Sequence, residues 1–399
     1  MQDSSAPRDP EFDALDLGRL RRRRGEKWQR YGPEVLPAWV AEMDFPLAEP
    51  VRRAVREALE LEDLGYPLAP RLEDLPACFA ARMQQRFGWR CDPQRVEVIG
   101  DVVQGIYVAV TQLCAPGEGV VVQTPIYAPF LQAVAETGRR LVENPVVRGA
   151  ERFEMDLDQL RAALDAGTRV LLLCNPHNPT GRVFERAELE ALAELVIAHD
   201  LVVVSDEIHA DLVYPGGRHV PFASLAPELE ARTLTLTSAS KAFNVPGLRC
   251  ALAYFGSAEL GRRFLGVPRH LRGGLGALGQ AATLAAWREG QPWLDRVLAY
   301  LADNRERVRR FVASELPGVV HVPPEASYLA WLDCRALGLG RSPQRFWLER
   351  ARVALSAGES FGTPGQGFVR LNFATSRAIL GEILERLAKA LRERDRMPA

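Results

Sequence analysis

Lysine is nearly absent from this chain of 399 residues. Only Lys27, Lys241 and Lys389 occur among the 50 basic residues, and the other 47 are arginine. The 50 basic and 51 acidic residues give a formal net charge of −1. A protein that binds nucleic acid through a broad cationic surface needs an excess of cations to neutralise phosphates, so that class is excluded. A purely electrostatic membrane anchor is a poor match for the same reason.

Long hydrophobic runs are missing as well. The longest uncharged run, Gly119 to Ala135, is shorter than the roughly 20 residues of a membrane-spanning helix. It also contains Pro125 and Pro129. The N-terminal sequence MQDSSAPRDPEFD mixes acids and prolines where a secretory signal has a basic start and an apolar stretch. These features predict a cytoplasmic location and no membrane partner.

Metal-binding patterns are not found in the sequence. The six cysteines form no CxxC pair and the six histidines form no HExxH motif, so neither a metal site nor a disulfide framework is predicted. The cysteines mostly lie in apolar runs and are expected to be buried free thiols. With 47% hydrophobic and 25% charged residues, the composition is that of an ordinary globular protein.

Short apolar runs alternate with amphipathic stretches from residue 48 onward. A stretch such as 185–199 has leucine, alanine and valine at helical spacing. Continuous apolar strands separated by helices predict an α/β fold with a mostly parallel central sheet covered by helices on both faces. The strand-like runs are VEVI (96–99), GVVVQ (119–123), RVLLLC (169–174), LVVVS (201–205), TLTLTS (233–238) and CALAYF (250–255).

The pattern changes after residue 290. A long charged amphipathic stretch (293–316) precedes the strand-like runs GVVHV, SYLAWLDC and GFVRLNF and a last helix predicted over 376–394. This is typical of a second, smaller α+β domain. We predict an N-terminal arm over 1–48 that contributes to the small domain, a large domain over 49–289 and a C-terminal small domain over 290–399. Residues 1 to about 34 are polar and are expected to be an exposed arm.

Polar residues follow four of the predicted strands. Ligands of open parallel sheets bind beyond the carboxyl ends of the strands. Each junction alone is a weak signal, because an aspartate after a strand is more often a helix cap and a lysine there usually lies on the surface. The four junctions are GDVVQG (100–105), NPHNPTG (175–181), DEIH (206–209) and SASK (238–241).

Taken together, these junctions suit pyridoxal phosphate. This cofactor needs an amine for a Schiff base, a carboxylate for its ring nitrogen, a donor to its phenolic oxygen, a stacking aromatic ring and donors for its phosphate. Arginine keeps its proton, so only lysine can form the Schiff base. Lys241 follows an apolar strand and precedes FNVPGLR, whereas Lys27 and Lys389 are predicted to be surface or packing residues.

With these motifs, the chain resembles fold-type I pyridoxal-phosphate enzymes of the class I/II aminotransferase superfamily. NPHNPTG, SDEIH and SASKAFNVPGLR carry that resemblance. Within the superfamily it looks most like the bacterial cystathionine β-lyase branch of carbon-sulfur lyases. That likeness rests on LPAWVAEMDFP, DEIHADLVYPGGRHVPFASL, SYLAWLD and GESFGTPGQGFVRLNFA, and it runs from about residue 27 to the C-terminal helix.

The resemblance implies a role for each matching residue. Lys241 would form the Schiff base, Asp206 would pair with the ring nitrogen, Asn178 would donate to the phenolic oxygen, and Tyr127 would stack on the ring. His209 occupies the place of a tyrosine that bonds the phenolic oxygen in many aminotransferases, as in the lyase branch; a satisfied core histidine is the alternative. The phosphate would be held by Val102 and Val103 N–H groups, Ser238, Ser240 and Arg249.

Two more positions carry implications for the substrate and for assembly. Arg370, in GFVRLNF, matches the arginine that binds the substrate's α-carboxylate. Tyr66, in DLGYPLAP, resembles the tyrosine that reaches the phosphate from a neighbouring subunit, which implies a homodimer with the site at its interface; an ordinary loop aromatic is the alternative.

The resemblance predicts a β-lyase that cleaves L-cystathionine or related cysteine S-conjugates to a thiol, pyruvate and ammonia. An aminotransferase that uses a 2-oxo acid is the first alternative, because both reactions begin with removal of the α-hydrogen by the same residues. A regulatory protein that acts through protein contacts is the second alternative.

Overall fold

The structure is a computed structural model that describes residues 9–68, 74–149 and 151–395. The chain forms two compact units. The larger comprises Leu47–Asn178 and Arg182–Leu294, and the smaller comprises Met1–Pro46, Pro179–Gly181 and Asp295–Ala399. The domain bounds given above stay a prediction.

The helices and strands alternate along the larger unit. In chain order the helices are α1 (Pro10–Asp13), α2 (Leu17–Arg21), α3 (Glu26–Gln29), α4 (Glu49–Glu60), α5 (Leu75–Phe87), α6 (Val102–Leu113), α7 (Ala128–Glu136), α8 (Leu157–Ala163), α9 (Arg186–Ala198), α10 (Pro227–Ala231), α11 (Ala258–Leu265), α12 (Ala277–Glu289), α13 (Gln291–Glu315), α14 (Pro343–Phe346) and α15 (Arg377–Asp395). The strands are β1 (Leu36–Pro37), β2 (Val96–Ile99), β3 (Gly119–Thr124), β4 (Arg140–Arg148), β5 (Phe153–Met155), β6 (Thr168–Cys174), β7 (Val202–Asp206), β8 (Thr233–Thr237), β9 (Ala251–Phe255), β10 (Val320–His321), β11 (Leu329–Asp333), β12 (Val353–Ala354), β13 (Ser356–Ala357) and β14 (Phe368–Asn372).

The larger unit is built on an eight-stranded sheet in the order β2-β9-β8-β7-β6-β3-β4-β5. The pairs β4–β3, β3–β6, β6–β7 and β7–β8 are parallel, and β9 pairs antiparallel with both β8 and β2. The central strands are apolar along their length because helices cover them; β3, β8 and β9 are buried at every residue. The predicted mostly parallel α/β sheet is confirmed.

The smaller unit contains an antiparallel sheet in the order β10-β11-β14-β13 and a two-stranded parallel pair of β1 with β12. Trp331 on β11 stacks on Phe368 on β14, with ring centroids 5.0 Å apart. The small antiparallel sheet and the long helices α13 and α15 agree with the predicted α+β character of this region.

The expectation of an exposed N-terminal arm is wrong for the described part of that segment. It forms the short helices α1, α2 and α3, and Phe12, Leu20 and Trp28 are buried. Lys27 is buried too, and its ammonium donates to the carbonyl oxygen of Glu42 over 3.0 Å. Three short capped turns place few apolar residues at regular spacing, which explains why the segment looks polar as a sequence.

Two further expectations concern membranes and cysteines. Within the described ranges, no helix combines the length and the apolar character that crossing a membrane requires. The cytoplasmic location stays a prediction. The six cysteines are free thiols, and Cys114, Cys174, Cys250 and Cys334 are buried.

Candidate active site

The sheet of the larger unit brings the polar junctions to one edge. Cys174, the last residue of β6, lies opposite Asp206 on β7, and Asp206 lies opposite Leu236 near the end of β8. On the other side of β8, Leu252 on β9 lies between Thr237 and Val98. The carboxyl ends of β2, β6, β7 and β8 therefore open onto a common edge, where an open parallel sheet binds its ligand.

Asp206 is a buried carboxyl group at the end of β7. Its Oδ1 accepts the backbone N–H of Ile208 over 3.0 Å. Burial raises the pKa of Asp206 to about 7, while that hydrogen bond and the Lys241 charge oppose the rise and the Glu207 charge adds to it. A cation placed against this carboxyl would restore its ionised form, because burial penalises a lone charge.

Lys241 lies in the turn after β8 and is half-buried. Ser238 organises this turn: its hydroxyl donates to the carbonyl oxygen of Cys250 over 2.6 Å and accepts the N–H of Ser240 over 3.0 Å. A hydroxyl has one proton to donate. Ser238 therefore holds the turn that presents Lys241, and it would have to release Cys250 in order to donate to a phosphate.

Helix α6 begins at the same edge. Asp101 caps the helix, and its Oδ1 accepts the N–H of Gln104 over 2.8 Å. The first N–H groups of a helix have no acceptor inside the helix, so those of Val102 and Val103 are suited to an anion. Arg249 has a left-handed backbone (φ 53°), and its Nη2 lies 2.6 Å from Oδ2 of Asp101. Asp101 thus ties the predicted phosphate-binding arginine to the helix start.

The remaining predicted cofactor residues of the larger unit lie on the neighbouring loops. Asn178 is buried after β6, and His209 is buried after β7, where it precedes a short 3-10 turn. Tyr127 precedes α7 and is 39% exposed, as a side chain that stacks on a ligand ring must be. The structure therefore brings all ten predicted cofactor residues of this unit to one edge of the sheet.

Arg370 belongs to the smaller unit, on β14. It is buried, and its Nη2 donates to the carbonyl oxygen of Trp39 over 3.1 Å and to the hydroxyl of Ser356 over 3.2 Å. Its guanidinium lies 4.9 Å from the ring centroid of Phe361. These contacts fix the guanidinium in one orientation, which two-point binding of a carboxylate requires.

Tyr66 lies in the segment that follows α4. Its side chain is fully exposed in the single chain. The sequence-based role, contact with a phosphate in another subunit, requires a side chain that projects away from its own chain, and Tyr66 does so.

Three neighbours of these residues were not identified from sequence. Asp101 was not singled out because an aspartate before a helix is usually only a cap. Glu207 and His219 were noted only as letters of a family motif, and the structure places them in a buried ion pair, Oε2 to Nε2 2.8 Å. The one sequence signal was the adjacency of two acidic residues at the end of an apolar strand.

The residues at this edge fit pyridoxal phosphate. A buried carboxyl group with a raised pKa suits a protonated ring nitrogen, and the start of α6 with Arg249 suits a phosphate. Lys241 supplies the amine. In the described part of the chain, no cluster of three histidine, cysteine or acidic side chains could hold a metal ion.

Comparison with known proteins identifies the family. The aminotransferase class I and II family matches residues 40–387, so the chain belongs to that family. It is 36% identical to "Cystathionine beta-lyase PatB" of Bacillus subtilis over 92% of this chain and 96% of that protein. It is 35% identical to "Cystathionine beta-lyase" of Corynebacterium glutamicum over 94% of this chain and 99% of that protein. The PLP-bound C-S lyase from Staphylococcus hominis superposes with a TM-score of 0.88, at 30% identity, covering 96% of this chain and 99% of that one.

Proposed function

We propose that this protein is a pyridoxal-phosphate-dependent carbon-sulfur β-lyase. It cleaves L-cystathionine or a related cysteine S-conjugate to a thiol, pyruvate and ammonia. The observation that carries the proposal is the placement of Lys241 beside the end of the strand that holds buried Asp206. The choice of lyase rests on the relatives named cystathionine β-lyase, which match this chain over nearly its whole length.

The side chains divide the work. Pyridoxal phosphate supplies an electron sink for the electron pair that is released when a substrate loses its α-hydrogen. Lys241 Nζ accepts that hydrogen as a proton, because an amine can lose its own proton and act as a base whereas a guanidinium cannot. The Asp206 carboxylate holds a proton on the ring nitrogen. Arg370 binds the α-carboxylate of the substrate.

The cofactor's other contacts come from the chain itself. We propose that Val102, Val103, Ser240 and Arg249 hold the phosphate, and that Ser238 acts mainly by holding the turn of Lys241. Asn178 and His209 would donate to the phenolic oxygen, and Tyr127 would cover the ring. The donors at the start of α6 support this arrangement, since they offer N–H groups to an anion.

Incubation of the purified protein with pyridoxal phosphate and L-cystathionine tests the function. We expect thiol, pyruvate and ammonia in equal amounts, detected by a thiol reagent and by coupled reduction of pyruvate. Amino transfer to 2-oxoglutarate without thiol or pyruvate would show an aminotransferase instead. An effect on other proteins that survives Lys241→Ala would indicate the regulatory alternative.

We also propose that the protein is a homodimer. The segment from the end of α4 to residue 68 exposes an unusual density of apolar side chains, and monomeric proteins rarely leave such patches in water. A second copy of the chain is the occupant that we favour, since Tyr66 in this segment is the residue predicted to reach the partner's site. The exposed side chains are Leu59, Leu61, Leu64, Tyr66 and Leu68, with exposures of 52%, 78%, 57%, 103% and 79%.

Sedimentation of a double variant, Leu61→Glu with Leu64→Glu, tests the dimer. We expect it to sediment as a monomer and to lose pyridoxal phosphate on dialysis, whereas the wild-type protein stays dimeric and keeps the cofactor. Ile197→Glu is the matched control, because Ile197 is also exposed, at 40%, but lies on α9. A wild-type monomer, or a double variant that stays dimeric, would rule out this interface.

A further inference from the structure

Glu207 follows Asp206 directly and is fully enclosed. Three donors converge on its carboxylate: the Ser205 hydroxyl and the Phe222 N–H reach Oε1 over 2.9 and 3.1 Å, and His219 Nε2 lies 2.8 Å from Oε2. The side chains of Glu207 and His219 are 3% and 0% exposed. An ionised carboxylate accepts up to four hydrogen bonds, whereas a protonated one would direct its own hydrogen at a donor. This arrangement therefore favours the ionised form of Glu207.

The geometry around His219 fixes which nitrogen carries its proton. Nδ1 is buried and has no hydrogen-bond partner among the described residues. A proton on Nδ1 would therefore be an unsatisfied buried donor, which is costly. The imidazole is neutral, with its proton on Nε2 directed at Glu207. Phe87 packs against the ring edge to face, with centroids 5.1 Å apart. The Glu207–His219 pair thus carries one net negative charge in the interior.

That charge acts on Asp206. The Glu207 charge is among the causes that raise the pKa of Asp206, after burial. A field that disfavours a negative charge at Asp206 favours a positive charge placed next to it, because the sign of the interaction reverses. The pair therefore opposes ionisation of Asp206 alone and supports an ion pair between Asp206 and a cation.

We propose that Glu207, held ionised by His219, is a second carboxylate that keeps the cofactor's ring nitrogen protonated through its field, without touching the cofactor. Glu207 and His219 are positioning residues in this scheme, since they act through Asp206. The inference rests on the proposed function, because it needs pyridoxal phosphate as the ligand. It extends that function by assigning a task to two residues with no contact role.

The experiment compares two ligands that differ at one atom. Pyridoxal phosphate and its carbocyclic analogue, in which C–H replaces the ring nitrogen, are titrated into wild-type protein and Glu207→Gln. We expect Glu207→Gln to weaken pyridoxal phosphate roughly tenfold relative to the analogue, the size of one charge acting across a protein interior. In ¹⁵N-labelled cofactor at pH 9, the ring-nitrogen signal should move towards its unprotonated position in Glu207→Gln only.

Glu188→Gln is the matched control. Glu188 makes an ion pair with buried Arg182 in the same unit, so the substitution removes a comparable pair in another place. It should leave the ratio of the two affinities within about twofold of wild type, because no charge near Asp206 changes.

A second pair of variants covers the case in which Glu207→Gln does not fold. His219→Leu removes the donor and should change the ratio in the same direction as Glu207→Gln, because a carboxylate with fewer donors takes up a proton. His219→Gln places an amide N–H near the position of Nε2 and should restore the wild-type ratio.

The outcomes separate the two proposals. Equal loss of both ligands in Glu207→Gln, or no loss of either, would overturn the role of Glu207 while leaving the proposed function intact. Failure of His219→Gln to rescue would overturn the role of His219. Wild-type protein that binds neither ligand would overturn the proposed function itself.

Discussion

The ammonium of Lys27 lies 2.9 Å from Oδ1 of Asp44, and the two side chains are 3% and 2% exposed. The Trp28 indole also donates to that oxygen over 2.9 Å. A buried charge pair of this kind is costly to break, because removal of one partner leaves the other charge without compensation. It ties helix α3 to the segment before residue 46 in the smaller unit.

Lys27→Met is expected to reduce the free energy of unfolding by about 3 kcal/mol, since Asp44 is then left buried without its cation. Urea unfolding followed by circular dichroism measures the loss. Lys389→Met is the control: Lys389 is 71% exposed and 3.7 Å from Glu393, so its removal should cost less than about 0.5 kcal/mol. Equal effects of the two substitutions would contradict the prediction.

Lys241→Ala and Lys241→Arg are both expected to abolish the visible absorption band of the bound cofactor. Turnover of L-cystathionine should fall by at least about a thousandfold in each, because neither side chain offers an amine that can lose its proton. Absorption spectra and pyruvate release measure the two effects. Full activity of the arginine variant would contradict the assignment of Lys241 as the catalytic amine.

Asp206 predicts a pH-dependent stability of the cofactor-free protein. Its pKa is about 7 in the folded chain and ordinarily 3.8, so the folded chain holds a proton that the unfolded chain releases. The stability therefore falls as pH rises from about 4 to 7 and stays reduced above that range. Asp206→Asn removes this loss and keeps an oxygen for the Ile208 N–H.

Thermal melts of the cofactor-free proteins test this. At pH 8, Asp206→Asn should melt higher than wild type by at least about 2 °C, and at pH 4 the two should agree. With pyridoxal phosphate bound the order should reverse, since the variant cannot pair with a charged ring nitrogen. A variant that melts lower than wild type at pH 8 without cofactor would refute the linkage.

Arg370→Lys is expected to raise KM for L-cystathionine by roughly tenfold or more, because an ammonium cannot bind a carboxylate at two points. Steady-state kinetics measure KM, and equilibrium dialysis measures the affinity for pyridoxal phosphate, which should stay within about twofold of wild type. Arg345→Lys, at a side chain that is 80% exposed, is the control. An unchanged KM would remove Arg370 from carboxylate binding.

Much of the larger unit could be predicted from the sequence because its central strands are short and continuously apolar. The prediction of VEVI as a strand is confirmed at its full length, 96–99, and the helix predicted over 185–199 is present as α9. Strand β4 was missed, because RLVENPVVR interrupts the apolar pattern with Asn144 and Pro145. The structure compensates: Asn144 is buried and accepts from Gln123 Nε2 over 3.3 Å.

The cofactor residues could be found from sequence because they follow strands directly, and parallel strands end at one edge. The pair of Glu207 with His219 could not, since 12 residues of chain separate the partners. Local sequence does not determine which buried side chains meet after such a turn. The same holds for Lys27 and Asp44, which are joined by a long return of the chain.

The scarcity of lysine also sets how the protein responds to reagents that modify amines. Lys27 is enclosed and Lys241 belongs to the site, so Lys389 on the last helix is the side-chain amine most open to acylation. A dye or a surface coupled through side-chain amines would therefore attach mainly at one defined point, away from the predicted catalytic residues in sequence. Protection of Lys241 from such a reagent by pyridoxal phosphate would then be readable as a change in a single peptide.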